Sequence, residues 1–316
     1  MGESFQILAL DGGGYKGMFA AALLERLEAD LGISVVDHFD LITGTSTGAI
    51  IALGLGAGLT PGQITSFYVE HGEEIFPGRQ RGRARRAFAS KFSPGPLRHA
   101  LEQVLGTRTL GESKVPLVIP SYDLTNDDVY VFRTPHSPRF RRDRHEQMVD
   151  VALASSAAPT YLPAHELRGL RLIDGGVWAN NPTMVGVVEA ISSFGRALAD
   201  ISVFSLGTTT DTSYRRPRLD RGGLLAWGRE AFDIVMRGQN LAARNTAALM
   251  LGAESLLRVD PSVPAKVLRL DGVDPQQLRG RAEHVSRHIC SDFEQRFTQH
   301  RAAPYTPQMS QGEPDV

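Results

Sequence analysis

Apolar and polar positions alternate in blocks along this chain, and the block lengths name the elements. FQILAL (5–10) is too short for a helix and runs into glycines, so it reads as a buried strand. GMFAAALLERLEADLG carries helical spacing and stops at Gly32. FDLITG (39–44) predicts a second short strand that leads directly into STGAIIALGLGAGL, a segment apolar on every side and therefore a helix of a layered core. TPGQITSFYVEHGEEIF follows as a helix with Thr60 as N-cap and Pro61 in its first turn. PLVIPSYDL and DVYVFRT read as strands around the turn TNDD. HEQMVDVALASSAAP predicts a helix that ends before Pro159. LRLIDGG is a strand entering a glycine turn, NNPTMVGVVEAISSFG a helix, and ISVFSLGTT the last clear strand. Residues 222–250 are helical in pattern, LLRVDP and KVLRLDG are short extended pieces, and DPQQLRGRAEHVSRHICSDFEQRF is a terminal helix. This alternation predicts an α/β fold, a three-layer, mostly parallel sheet flanked by helices. With no repeat and no linker, residues 1–300 form one domain, and the polar, proline-bearing tail 301–316 is expected to fray.

Composition narrows the setting. The 316 residues are 42% hydrophobic and 22% charged, enough to bury a full core. A formal net charge of -1 supplies no drive toward DNA or RNA. A lone cysteine, Cys290, makes no internal disulfide, which points to a reducing, cytoplasmic compartment and to a small core-type residue. The N-terminus lacks a signal-peptide pattern, and Gln6 breaks the myristoylation motif. AIIALGLGAGL falls short of the roughly 20 apolar residues of a membrane span, so membrane contact is expected to be peripheral. One local exception to the charge balance stands out. Between two Pro/Gly clusters, the lid-like insertion 79–96 holds Arg79, Arg81, Arg83, Arg85, Arg86 and Lys91 with Phe88 and Phe92. It suits a solvated lid, anionic lipid heads or the phosphates of a nucleotide.

The chemistry concentrates at three glycine turns. GTSTG (44–48) matches G-x-S-x-G between a strand and a helix, so Gly44 and Gly48 clear space for Ser46 to project its hydroxyl at a helix start. Taken alone, the same residues also suit an ordinary N-cap. A serine needs a base, and Asp174, ahead of Gly175 and Gly176, ends a strand at the sheet edge where α/β proteins bind ligands. An Asx turn is the plainer role for it. His284, His288 and His300 lie on or beyond the terminal helix, outside any glycine-rich loop, so Asp174 is expected to act directly, without histidine. HVSRH lacks the glutamate of H-E-x-x-H, and no metal site is expected. In the first turn, Gly12, Gly14 and Gly17 fit G-x-G-x-x-G, with Asp37 or Asp40 at a ribose-binding distance. A dinucleotide-binding oxidoreductase or binding protein is therefore the alternative. It leaves Ser46 and Asp174 unexplained, whereas an oxyanion hole built from the amides of Gly12, Gly13 and Gly14 accounts for all three turns. Lys16 reads as a solvent-exposed lysine at a helix start, with a phosphate head group as its functional option.

Taken together, DGGGYKG, GTSTG and DGGVWANNP, with ALASSAAPTYLP between the last two, resemble the patatin-like phospholipase family over most of residues 5–210. The resemblance implies a Ser46–Asp174 dyad and lipid acyl hydrolysis without a metal or other catalytic cofactor. GQNLAARNTAALMLGAESLLRVDP is similar to the bacterial patatin phospholipases of CBASS antiphage systems. That likeness implies activation by a cyclic dinucleotide such as cGAMP, membrane phospholipid as substrate, and peripheral action at the inner membrane. It leaves a homo-oligomer open.

Overall fold

A computed structural model of the chain describes residues 4–75, 90–211, 220, 223–263 and 274–308. In chain order its first elements are β1 (Phe5–Leu10), α1 (Met18–Leu31), β2 (Leu41–Gly44), α2 (Thr47–Gly56), α3 (Pro61–Ile75) and α4 (Gly95–Leu105). Next come β3 (Leu117–Asp123), β4 (Asp128–Arg133), α5 (Met148–Ser156), β5 (His165–Leu167), β6 (Leu170–Asp174) and α6 (Gly176–Ala179). The last are α7 (Thr183–Phe194), β7 (Ile201–Leu206), β8 (Thr210–Asp211), α8 (Leu224–Leu251), β9 (Leu256–Val259), β10 (Ser262–Val263) and α9 (Pro275–Phe297).

β1 is central. It is buried on both faces, sending Leu8 and Leu10 into one apolar cluster and Ile7 and Ala9 into another, as a period-two strand between two helical layers must. The first cluster includes α1, α2 and α9, whose Phe293 and Phe297 stack with Phe39 and Phe204. The second includes Val187 and Ala190 of α7.

β2, β1, β7 and β9 run parallel, and β3 is parallel to β2. The sheet is mostly parallel as expected, and it turns antiparallel beyond β3, where β4 and β6 pair with β3 antiparallel and β5 with β6 likewise. The β5–β6 hairpin turns on Arg168 (φ 48) and Gly169 (φ 78), a left-handed pair that matches strand twist. One detail of register governs the site. Val118 pairs with both Thr43 and Arg133, and Ser121 with both Asp174 and Tyr130. β4 therefore takes one edge of β3, while β2 and β6 share the other edge end to end, their C-termini facing each other.

The tail expectation is corrected for residues 301–308. Ala302 N–H donates to the Asp37 carbonyl (2.8 Å), Gln308 N–H to the Pro135 carbonyl (2.7 Å), and Arg301 pairs with Asp37 (2.6 Å). Polar backbone contacts hold it where composition suggested fraying. The rest of the tail, Arg79 to Arg86 with Phe88, and all of KVLRLDG lie outside the described residues. Among the described residues no helix is long and apolar enough to cross a membrane.

Candidate active site

The end-to-end meeting of β2 and β6 brings Ser46 and Asp174 together. Ser46 follows β2 as the residue before α2, with φ 56 and ψ -119. A non-glycine residue there costs about 1–3 kcal/mol and needs the surroundings to hold it. They do. Ser46 N–H donates to Ser155 Oγ (3.0 Å), which in turn donates to the Pro120 carbonyl (2.7 Å). Thr45 N–H donates to the Leu10 carbonyl (3.1 Å) and Thr45 Oγ1 to that of Ala179 (2.6 Å). The flanking glycines are required by close approach: a Cβ on Gly44 would overlap the Gly48 backbone, and one on Gly48 the Leu10 carbonyl.

Asp174 reaches the same point from the opposite direction. Gly176 N–H donates to its Oδ1 (2.7 Å), and Ser46 lines the same pocket, its hydroxyl placed to lower the carboxyl's proton affinity. Burial pushes this carboxyl up to about 6, against the pull of both groups. Gly175 admits the turn because a Cβ there would overlap the Pro120 carbonyl. The sheet-edge location expected for Asp174 holds, but for a different reason: an antiparallel strand descends to the edge.

The first glycine turn needs one correction. Gly12 N–H already donates to the Asn180 carbonyl (3.0 Å), so it is not a donor toward the site. The Gly12 carbonyl accepts from Asn180 Nδ2 (3.3 Å) and Thr208 Oγ1 (3.1 Å), which clamps the loop. Gly13 and Gly14 line the pocket beside Ser46 and Asp174, and among the described residues no hydrogen bond takes up their amides. Lys16 is half-buried rather than exposed, and its Nζ donates to the Thr209 carbonyl (3.1 Å). The dinucleotide cradle fares poorly, since Gly17 packs on Thr47, the residue after the nucleophile position.

Behind this loop lies a contact the sequence did not signal. Arg258 of β9 grips Asp11 through both prongs (2.8 and 2.5 Å), reaches Asp260 (3.1 Å) and donates to Ser205 Oγ (2.8 Å). Asp11 and Asp260 drive the Arg258 pKa upward despite burial, so the guanidinium stays charged. Arg258 appeared in LLRVDP only as part of a strand. Ser155 and Asn180 were likewise visible only within the motif strings ALASSAAPTYLP and DGGVWANNP.

The pocket over the pair has a volume of about 140 Å³ and is walled by apolar side chains, among them Ile50, Phe92, Leu97, Val177 and Met236. Lys91 N–H and Phe92 N–H donate to the carbonyls of Thr160 and Tyr161 (3.0 and 2.8 Å), tying the end of the basic insertion to the pocket wall. These histidines stay away: His300 bonds Asp40 (2.8 Å), while His284 and His288 meet edge to face along α9. Cys290 is half-buried against the core. Among the described residues, no three His, Cys, Asp or Glu side chains gather as a metal site.

A hydroxyl on a tight strand-to-helix turn, a buried carboxylate against it and unspent amides alongside can together perform acyl transfer. Comparison with known proteins gives that chemistry a family. The patatin-like phospholipase model matches residues 8–187, and the chain belongs to that family. A cGAMP-activated phospholipase of Pseudomonas aeruginosa is 33% identical over 313 residues, 95% of this chain and 93% of that protein. A cGAMP-activated phospholipase of Escherichia coli is 35% identical over 230 residues, 68% of this chain and 65% of that one. Among solved structures, VipD from Legionella pneumophila superposes on 92% of this chain and 67% of its own, at 12% identity and a TM-score of 0.49.

Proposed function

We propose that this chain hydrolyses phospholipid acyl esters with Ser46 as nucleophile and Asp174 as general base, and that a cyclic dinucleotide switches it on. The meeting of the Ser46 hydroxyl and the buried Asp174 carboxyl in one pocket, beside the amides of Gly13 and Gly14, carries the reading. Ser46 Oγ attacks the ester carbonyl carbon as Asp174 takes its proton, and the amides of Gly13 and Gly14 receive the oxyanion. The carbonyl then re-forms, the bond to the glycerol oxygen breaks, and Asp174 returns the proton to that oxygen. Water attacks the acyl-enzyme, giving its proton to Asp174, and Ser46 regains a proton as the fatty acid leaves. A carboxyl raised to about 6 is better matched to this task near neutral pH than one at 3.8.

Membership of the family supports a lipid substrate, and the apolar pocket wall supports an acyl chain. A volume of about 140 Å³ is small beside the roughly 300–1,000 Å³ of ordinary ligand sites, which supports an enzyme at rest until triggered. The names of the relatives support a cyclic dinucleotide such as cGAMP as the trigger. The setting is then peripheral action on the cell's own inner membrane during antiphage defence. The test is hydrolysis of p-nitrophenyl esters and of phospholipid vesicles, with and without cyclic dinucleotides, plus labelling by a fluorophosphonate. Wild type should be labelled and active, and Ser46→Ala neither. Near wild-type turnover by Asp174→Asn would sink the dyad.

A further inference from the structure

A second cavity lies at the opposite edge of the sheet from Ser46. It measures about 790 Å³ and is lined where β1 starts (Phe5), before β2 (Asp40), before β3 (Pro116) and past the end of α2 (Gly58, Leu59). The strap 301–306 forms its remaining wall. Resting on the activation proposed above, we propose that this cavity is the binding site of the cyclic dinucleotide.

The charge pattern favours a phosphate-bearing ligand. Each lining carboxylate is already engaged within the protein. Glu28 accepts from Val35 N–H (2.9 Å), Asp37 pairs with Arg301, and Asp40 accepts from Gln6 N–H (2.7 Å) and His300 (2.8 Å). Lys114, which is exposed and also lines the cavity, makes no ion pair among the described residues, and its Nζ lies over Gly58. The positive side of the ledger is thus left open to an anion. An aromatic side chain is present too: Tyr305 of the strap is half-buried and lines the cavity. A half-buried aromatic ring in a cavity wall suits a purine base. The volume falls within the roughly 300–1,000 Å³ of small-molecule sites. Two phosphates and two bases on one compact ring use all of these features.

The cavity also has a physical line to the chemistry. α2 has every residue buried, begins directly after Ser46 and ends at Gly56, two residues before the cavity wall at Gly58. β1 runs from Phe5 in the cavity wall to the residue before the Asp11–Gly14 turn. A ligand that shifts the lower ends of these two elements moves the nucleophile and the amides facing it, because a close-packed core passes displacement on.

The test is calorimetric titration of the full chain with 3′,3′-cGAMP, cyclic di-AMP and cyclic di-GMP. Lys114→Glu reverses the unpaired charge, and Ala303→Trp fills the space from the exposed strap. The expected result is that one nucleotide binds wild type and Ser46→Ala alike, and that each cavity variant raises its Kd at least tenfold at unchanged Tm. An 8-azido derivative of that nucleotide should label peptides spanning residues 28–40 or 301–306, a measurement that needs no variant. An unaltered Kd in both variants, or labelling confined elsewhere, overturns the site while leaving activation standing. Failure of all three nucleotides to bind wild type removes the activation proposal and this site together, and leaves ester hydrolysis by Ser46 untouched.

Discussion

Two aspartates head two glycine turns in this protein, and their surroundings send them to opposite tasks. Asp11 precedes Gly12–Gly14 and Asp174 precedes Gly175–Gly176, and both are buried, at 3% and 5% exposure. Asp11 meets a guanidinium that grips both its oxygens, while Asp174 meets only a hydroxyl and an amide. The first carboxylate is therefore neutralised in place and anchors a loop. Burial lifts both carboxyls to about 6, Asp11 even against the pull of Arg258. The second thus differs in its partner rather than in its proton affinity: it faces a hydroxyl with no countercharge, the place of the base proposed above. The motif letters are the same; the partner decides.

The sharpest way to break this comparison is to remove the charge from each in turn. Asp174→Asn and Ser46→Ala should each lower ester kcat by at least about 10³-fold, the scale of losing a triad-type group. Asp174→Asn should nevertheless melt no lower than wild type at neutral pH. Arg258→Met should do the reverse, costing about 3–5 kcal/mol in chemical denaturation because it strands Asp11 in the core. The double variant Asp11→Asn/Arg258→Met should recover part of that loss, and strict additivity would refute the ion-pair account.

A pH series sharpens the contrast further. Asp174 binds its proton more tightly folded than unfolded, so its charge costs stability that sets in as pH rises from 3.8 and is complete above about 6. The stability advantage of Asp174→Asn should therefore grow across that window to about 3 kcal/mol and then level off. Ester kcat/KM should rise through the same region with an apparent pKa near 6. The smallest effect is expected at Ser155, which holds the Ser46 backbone without touching substrate. Ser155→Ala should lower kcat roughly tenfold with KM unchanged, as expected for about 1–2 kcal/mol of lost positioning.

Much of this was legible in the chain. Among the described residues the strand and helix blocks read from apolar periodicity are present, while α4 and β5 were not read from it, and the three glycine turns converge. What escaped notice depended on partners far away in sequence. Strand direction is invisible in an apolar run, so LRLIDGG did not reveal that β6 runs against β3. Arg258 lies 247 residues from Asp11, and nothing local in LLRVDP marks a guanidinium aimed at the first turn. Gly12 looked equivalent to Gly13 and Gly14 until the Asn180 carbonyl claimed its amide. The tail looked solvated because its anchors, Asp37 and Pro135, come from distant segments.

The helix that follows Ser46 has a cost that shows only when the fold is lost. TGAIIALGLG has no solvent-facing residue and no charge. Any opening that frees it from the core releases a sticky peptide with no gatekeeper of its own, the sort of segment that seeds aggregation. Mild heating should therefore end in irreversible precipitation sooner than in reversible unfolding, and the shelf life of preparations should follow how rarely that helix escapes.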